Sequence, residues 1–486
     1  MNSKTFEIDD ITWNDLDLER VYDEINTASS SVGSEYLKKV LRTLELSEEK
    51  LKSRDEIADL LNAEPDLKEK LIKRFSDLGR VKKISFADQI RRLDDAPALS
   101  NTKHYILAAL LLCAAALIFI KPVIGIIALV VMFAVNISLY FADKAKIETY
   151  FICLKYLVRM IECAGRLAKL PLDGTPLEDH AASLKELYRT FAPLKRGSWL
   201  LTNSVSGSLA DVVMDYVRML FHVDLIKFNN MRALAIDRSA ETALLYEILG
   251  EIETCLCISR FRSVYECSKP VLSSDAASKV SFRGIYHPLT KDPVRNDLFV
   301  QRSILLTGSN ASGKSTFLKS VALNQIFAQT IYTVLADEFC SRYFKVISSM
   351  ALTDSILNNE SYFVVEIRSL KRIFDELGDV SVMGLIDEVL RGTNTKERIA
   401  ASSVILKKLS GENALIFAAT HDIELTGLLK DHMDNYHFSE TVNESSVEFD
   451  YLIKKGPSDS RNAIKLLEVY GFDRDIVEEA EKLAGE

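Results

Sequence analysis

Residues 307–316 read TGSNASGKST, and this stretch decides the fold of the C-terminal part of the chain. It contains the pattern G-x-x-x-x-G-K-S, directly after an apolar run and directly before a helical pattern. Glycine lets backbone N–H groups wrap closely around a phosphate, and the N-terminus of the following helix adds partial positive charge. The stretch therefore predicts a strand, a phosphate-binding loop and a helix.

The loop carries the side chains that a nucleotide with Mg²⁺ requires. Lys314 can neutralise β- and γ-phosphate oxygens, and the Ser315 hydroxyl can coordinate the metal ion. We expect ATP and Mg²⁺ as cofactors. The predicted nucleotide-binding residues of the loop are Gly308, Ser309, Asn310, Ala311, Ser312, Gly313, Lys314, Ser315 and Thr316.

Two further strand ends supply candidate catalytic groups. The run VSVMGLIDEVLRGTNT at 380–395 is an apolar strand that ends in Asp387 and Glu388, and ALIFAATHD at 414–422 ends near His421. Asp387 can hold Mg²⁺ through water, and Glu388 can polarise the attacking water. Adjacent carboxylates are often a surface pair, and a lone histidine is often structural. Since ligands bind at the strand ends of open α/β sheets, catalysis is favoured, with His421 near the γ-phosphate.

Together these runs resemble the ATPase domain of the MutS family of DNA mismatch-repair proteins, within the ABC/SMC class of P-loop ATPases. The resemblance covers about 266–486, and a weaker likeness to the family's helical core, or lever, domain covers 12–80. It implies an ATP hydrolase in which Glu388, His421 and Lys314 are catalytic and Ser315 and Asp387 hold the metal.

The resemblance also implies a homodimer and a DNA partner. In that case Gln329, at the end of a "FAQ" run, senses the γ-phosphate and Mg²⁺, and Ser361 reaches across to the nucleotide of the partner subunit. Departures from the family pattern are equally visible. Ser309 replaces the usual proline of the loop, Glu360 stands where a basic residue is usual, and Pro293 lies near the place of an adenine-stacking aromatic. Without a recognisable mismatch-reading domain, we expect the ATPase to be kept and mismatch recognition to be lost.

An apolar insert separates two helical stretches. Residues 105–142 read YILAALLLCAAALIFIKPVIGIIALVVMFAVNISLYFA, and Lys121-Pro122 divides them into two runs. About 20 apolar residues cross a bilayer, so the insert predicts a transmembrane helical hairpin. Lysines before and after it predict that both ends lie in the cytoplasm. The alternative is a buried helical hairpin in a soluble core.

These observations predict an α/β P-loop ATPase domain, an N-terminal all-α lever domain and a transmembrane helical hairpin. The predicted domains are a helical segment at 1–100, the hairpin at 101–143, a second helical segment at 144–265 and the ATPase domain at 266–486. The net charge of −9 argues against a protein that coats nucleic acid by bulk electrostatics. Seven cysteines without paired spacing favour thiols in a reducing compartment.

The leading hypothesis is a membrane-anchored ATPase whose dimer closure is coupled to a DNA or protein partner. The alternative is an ATP-driven membrane scaffold or remodelling switch that does not bind DNA. A transporter ATPase is the third hypothesis, and it is disfavoured because one hairpin per chain gives few crossings. The expected location is the membrane, with the soluble parts in the cytoplasm.

Overall fold

The structure is a computed structural model that describes residues 5–81, 85–91, 100–195, 209–273, 279–309, 312–350, 362–391, 393–411, 413–442, 447–458 and 472–484. The chain forms two compact units. The sheet unit comprises Met1–Asn26, Lys38–Glu56 and Ile258–Glu486, and the helical unit comprises Thr27–Leu37 and Ile57–Cys257.

The described strands all belong to the sheet unit. They are β1 (Thr5–Glu7), β2 (Thr43–Glu45), β3 (Val271–Leu272), β4 (Val280–Ile285), β5 (Asn296–Val300), β6 (Ser303–Thr307), β7 (Glu338–Ser341), β8 (Lys345–Ser349), β9 (Val382–Asp387), β10 (Ala414–Ala419), β11 (Met433–Val442) and β12 (Val447–Lys455).

The described helices occur in both units. They are α1 (Asp10–Asp15), α2 (Leu18–Ile25), α3 (Ser31–Arg42), α4 (Glu48–Ala63), α5 (Pro65–Leu78), α6 (Phe86–Arg91), α7 (Asn101–Leu117), α8 (Pro122–Leu167), α9 (Glu178–Thr190), α10 (Ala192–Lys195), α11 (Leu209–Phe221), α12 (Val223–Asp237), α13 (Ser239–Val264), α14 (Lys314–Ala328), α15 (Tyr362–Asp375), α16 (Thr395–Gly411), α17 (Glu424–Leu428) and α18 (Arg474–Ala484).

The main sheet of the sheet unit has the order β12-β11-β6-β10-β9-β8, and only the β11–β12 pair is antiparallel. Strands β6 and β10 are buried at every residue, because the sheet is covered on both faces, as parallel sheets require. The predicted α/β domain with a largely parallel sheet is confirmed. The carboxyl ends of β6, β9 and β10 lie side by side, and this edge carries the candidate site.

The N-terminal hundred residues are not all helical, which corrects that part of the expected fold. Strands β1 and β2 pair antiparallel, with Phe6 opposite Leu44. Leu44 is fully buried, and the Glu45 N–H donates to the Gln329 carbonyl at 2.8 Å. The extended conformation is thus stabilised by pairing with distant parts of the sheet unit, which local helical spacing does not reveal.

The helical unit has no strand among its described residues. Its packing includes a buried carboxylate, Glu253 on α13, which accepts hydrogen bonds from the backbone N–H groups of Ser29 and Ser30 at 2.6 and 3.0 Å. These groups lie at the start of α3, where backbone N–H groups lack partners within the helix. Burial raises the pKa of Glu253. The carboxylate therefore caps α3 from a position more than two hundred residues away.

The apolar insert forms two helices joined by a turn at residues 118–121. Helix α7 ends at Leu117, and α8 begins at Pro122, as the Lys-Pro dipeptide predicts. The start of α8 approaches the turn closely at Gly125, where an added Cβ would lie 2.4 Å from the Ile118 nitrogen. Helix α8 continues without a break to Leu167, so the predicted domain boundary at 143/144 falls within a helix.

Candidate active site

The phosphate loop connects β6 to α14 at the carboxyl edge of the main sheet. Gly308 and Gly313 have φ values of 143° and 101°, which residues with a side chain rarely adopt. A Cβ on Gly308 would lie 2.9 Å from the Phe438 carbonyl oxygen, so the backbone turn needs glycine there. Of the predicted loop residues, Asn310 and Ala311 lie outside the described residues.

Lys314 is the first residue of α14 and is buried. Its Nζ donates to the carbonyls of Gly308 and Ser309 at 2.8 and 2.7 Å. Burial lowers the pKa of Lys314, against the opposite effect of nearby carboxylates. The ammonium group thus faces the concave side of the loop, close to the unpaired N–H groups of the helix start. This arrangement fits the phosphate oxygens of a nucleotide.

The candidate metal ligands are brought together. The Ser315 hydroxyl donates to Asp387 Oδ2 at 2.5 Å, across seventy-two residues of sequence. Asp387 ends β9, and β9 lies next to β10 in the sheet. Hydroxyl and carboxylate oxygens are the ligands that Mg²⁺ prefers, and Mg²⁺ usually keeps several waters and contacts phosphates. The two oxygens therefore fit a magnesium ion that accompanies a nucleotide.

Glu388 is held between two basic side chains. His421 Nε2 lies 2.9 Å from Glu388 Oε1, and Arg391 forms an ion pair with the other carboxylate oxygen. The hydrogen bond from His421 is the main cause that lowers the pKa of Glu388. Glu388 has φ = 61°, and its backbone N–H donates to the Ala419 carbonyl at 2.9 Å. The sheet thus holds an ionised carboxylate in a left-handed backbone conformation, a type of strain that clusters at functional sites.

Sequence reasoning missed Arg391, although it stands within the quoted run at 380–395. Basic residues near a carboxylate are common on protein surfaces, so the motif alone did not single it out. The structure shows that Arg391 and His421 contact different oxygens of Glu388. Glu388 is therefore oriented from two sides.

A cavity of about 700 Å³ extends from these groups. Its size lies within the range of small-molecule sites. Beyond the loop it is lined by Tyr286, Pro293, Phe438 and Tyr451, among others. The Tyr451 ring lies 3.0 Å from the position of a Cβ on Gly313. An aromatic wall suited to a nucleobase is therefore present, although Pro293 replaces the aromatic residue expected nearby.

Asn296 fixes the strand that carries Tyr451. Its side-chain nitrogen donates to the Tyr451 carbonyl at 3.0 Å, and its side-chain oxygen accepts from the Ile453 N–H at 2.8 Å. Neither Asn296 nor Tyr451 was predicted. They lie 155 residues apart, so only strand positions in the folded sheet unit bring them together.

The structure does not bring Gln329 to this site, which corrects the expectation drawn from the family resemblance. Gln329 follows α14, whose fifteen residues separate it from Lys314 by roughly 20 Å. Its fully buried side chain donates to the carbonyls of Glu45 and Phe344, each at 3.1 Å. A residue bound in this way packs the sheet unit and is too far away to contact a γ-phosphate. Ser361 lies outside the described residues.

The remaining loop residues have distinct surroundings. The Ser309 hydroxyl donates to Glu440 on β11, where a proline at this position would have no hydroxyl to donate. Ser312 is buried, and Thr316 lines the cavity. The structure therefore assembles the second half of the loop, Gly313–Thr316, with Asp387, Glu388 and His421 around one cavity.

Comparison with known proteins gives matching results for the same region. Residues 304–486 match the family described as MutS domain V. The chain is 28% identical over 273 residues to DNA mismatch repair protein MutS of Natronomonas pharaonis, covering 53% of this chain and 31% of that protein. It is 28% identical over 253 residues to human MutS protein homolog 4, covering 49% of this chain and 27% of that protein.

A third relative is DNA mismatch repair protein MutS of Pseudothermotoga lettingae, with 31% identity over 250 residues. That match covers 49% of this chain and 30% of the relative. The matched part of the chain thus spans less than a third of the length of each of these relatives.

Proposed function

We propose that this chain, whose residues 304–486 match MutS domain V, is a membrane-anchored ATP hydrolase of the MutS family. The observation that carries the ATPase part is the grouping of Lys314, Ser315, Asp387, Glu388 and His421 at one sheet edge. Mg²⁺ supplies charge neutralisation at the phosphates when it is bound.

In this proposal Glu388 accepts a proton from the attacking water. Its lowered pKa keeps the carboxylate ionised at neutral pH, and His421 and Arg391 keep it in one orientation. Lys314 leaves its contacts with the loop carbonyls and donates to phosphate oxygens. The aromatic side chain of Tyr451 covers the base. Positioning and charge stabilisation account for most of the catalysis in such sites.

The ATPase proposal is tested by measuring ATP turnover of the full chain with Lys314→Ala and with Glu388→Gln. We expect turnover to fall about 100-fold or more in each, because phosphate binding or proton transfer is lost. Glu479→Gln on α18 is the matched control, since Glu479 is an exposed carboxylate away from the cavity. Equal turnover in the parent chain and in Glu388→Gln rejects the hydrolase.

The membrane part of the proposal is supported by the hairpin. Within the described residues, α8 is the helix that is long and apolar enough to cross a membrane. Large apolar side chains stand exposed on the hairpin, and Phe119 at its turn is 91% exposed. The exposed members are Tyr105, Ile106, Leu110, Leu112, Phe119, Ile120, Val123, Ile124, Ile126, Ile127, Val130, Val131, Phe133, Val135 and Phe141.

This pattern disfavours a hairpin buried in a soluble core. Soluble monomers rarely expose contiguous apolar patches larger than a few hundred Å². Each helix of the hairpin buries only a narrow line of residues, including Leu111 and Ala114 on α7 and Gly125 and Asn136 on α8. In a bilayer the remaining apolar side chains contact lipid chains and are not exposed to water.

Anchoring is tested by vesicle flotation of the full chain and of a form in which residues 105–142 are replaced by a short polar linker. We propose that the intact chain floats with the vesicles and that the shortened chain stays in the dense fraction. ATP turnover of both forms reports whether the sheet unit has folded. An intact chain that remains soluble after a high-speed spin removes the anchoring claim.

For partners, we propose a homodimer that binds DNA, and this rests on the family. Two of the relatives above are named DNA mismatch repair proteins. The chain-specific observation that favours the alternative is the net charge of −9, which gives no bulk attraction to a polyanion. Binding to duplex, mismatched and branched DNA at low salt decides between them. An absence of binding to all three leaves the ATP-driven membrane scaffold.

A further inference from the structure

Helix α11 presents an apolar face that the sequence does not single out. The exposed members of this face are Val212, Val213, Tyr216 and Val217. At 100° per residue they cover a continuous arc of about 140° on one side of the helix. The described part of α11 contacts both α7 and α8 of the helical unit.

The face lies beside the apolar part of the hairpin. The Tyr216 ring is 6.3 Å from the ring of Phe133 on α8. Directly after α11, His222 contacts the Asn136 carbonyl at 3.0 Å and the His104 imidazole at 2.8 Å. These contacts place α11 alongside the middle of the apolar stretch of α8 and away from its polar continuation.

Two charged residues of α11, Asp215 and Arg218, do not interrupt this face. Arg218 is 7% exposed and donates to Asp215 at 2.9 Å. Asp215 lies at the edge of the apolar arc, one helical turn from Arg218. A paired charge is far less costly in an apolar environment than an isolated one.

The chemistry around the face favours lipid over a second copy of the chain. The exposed apolar side chains of α8 run from Phe133 through Ile126 and Val131 to Val135, an arc of roughly 200° at 100° per residue, and α7 exposes apolar side chains of its own. A contact with one other copy covers a single side. Lysines occur at the base of the hairpin, where Lys103 and Lys146 pair with Asp143. This arrangement is typical of a membrane-inserted segment, whose apolar surface lies in the hydrocarbon layer and whose cations lie at the lipid headgroups.

We propose that α11 is embedded in the acyl-chain layer beside the hairpin, so that three helices of this chain contact lipid. The inference rests on the proposed function, in which the hairpin enters a bilayer. Thirteen residues reach roughly 20 Å, short of the roughly 30 Å hydrocarbon core. Helix α11 is therefore a partial-depth helix that packs on the hairpin, and it does not form a third crossing.

Three valines of similar exposure allow a matched test. Val213 on α11 is 60% exposed, Val130 on the hairpin is 64% exposed, and Val404 on α16 of the sheet unit is 67% exposed. Each is replaced singly by Trp in the full chain. The variants are reconstituted in phosphatidylcholine–phosphatidylglycerol vesicles with and without brominated acyl chains. The fluorescence of the parent chain is subtracted to remove the contribution of its own two tryptophans.

We expect brominated lipid to quench Val130→Trp and Val213→Trp several-fold and to leave Val404→Trp unchanged. Quenching of Val130→Trp without Val213→Trp overturns the inference and leaves the anchored hairpin in place. This is also the result expected if a second copy covers α11, in which case Val213→Cys cross-links between copies. Quenching of neither rejects the membrane proposal itself. Val212→Trp repeats the measurement on the same face, and ATP turnover confirms that each variant has folded.

Discussion

The central strands of the main sheet and the helical hairpin are built from the same apolar residue types, yet they meet opposite surroundings. Strand β10 reads ALIFAA and is buried at every residue, while α8 begins PVIGIIALVV and leaves most of these side chains exposed. In the sheet, neighbouring strands and helices cover both faces, and polar groups gather where the strands end. In the hairpin, charged residues occur at its base and at Lys121 in the turn. Apolar composition therefore indicates how much of a segment must be shielded from water. Only the contacts in the structure show whether protein provides that shielding.

The largest effect is expected at the polar edge of the sheet, which is catalytic in the proposed function. Asp387→Asn removes a charge from the proposed metal site, and we expect Mg²⁺-dependent ATP turnover to fall about 100-fold or more. Asp434→Asn is the matched control, because Asp434 lies near the start of β11 and so at the opposite edge of the same sheet. Turnover is measured over a range of Mg²⁺ concentrations. Similar losses in both variants contradict a specific role for Asp387.

The exposed side of the hairpin gives the next largest effect. Ile127→Lys and Val131→Lys together place two charges on α8 within the proposed bilayer. Each lysine at the centre of a spanning helix costs about 3 kcal/mol, so we expect the chain to leave the vesicle fraction. Flotation measures this, with Val404→Lys as the control. On a soluble protein the same exposed positions tolerate lysine, so a parent chain that stays out of the vesicle fraction together with the variant, or a variant that still floats, decides against the bilayer.

A smaller effect, on thermal stability, is expected at the close contact between the two helices of the hairpin. An added Cβ on Gly125 would lie 2.4 Å from the Ile118 nitrogen, so Gly125→Ala forces the turn apart. Overpacking of this kind typically costs about 1–3 kcal/mol. We expect a lower midpoint of thermal unfolding for the full chain in detergent. Gly427→Ala, which meets no atom within 4 Å, is the control. Equal midpoints show that the turn opens without cost.

The smallest effect concerns pH. Hydrogen bonding from His421 lowers the pKa of Glu388 from its ordinary value of 4.5. The stabilisation of the carboxylate is therefore present above pH 4.5 and lost as the pH falls through the lowered pKa. In His421→Ala we expect the acid limb of the kcat/KM profile for ATP to move to higher pH, toward 4.5. Glu479→Gln is again the control. A limb that moves to lower pH contradicts the assigned hydrogen bond.

The sequence was most informative where function depends on adjacent residues. The phosphate loop, Asp387 and His421 were recognisable because glycine spacing and strand ends are local patterns, and β6, β9 and β10 do bring them together. Asn296 and Tyr451 were missed because they meet only through the fold. Gln329 was misplaced because a short resemblance does not show that the intervening helix carries it away from the loop. The predicted domain boundary after residue 143 falls within α8, because the hydropathy changes there while the helix continues.

The central proposal is that an ATP-hydrolysing sheet edge and a lipid-facing hairpin occur in the same chain. The most direct measurement is ATP turnover in the fractions of a flotation gradient loaded with the full chain and vesicles. We predict that turnover and protein float together and that Glu388→Gln floats without turnover. Turnover that stays in the dense fraction, or that persists in floated Glu388→Gln, contradicts the claim.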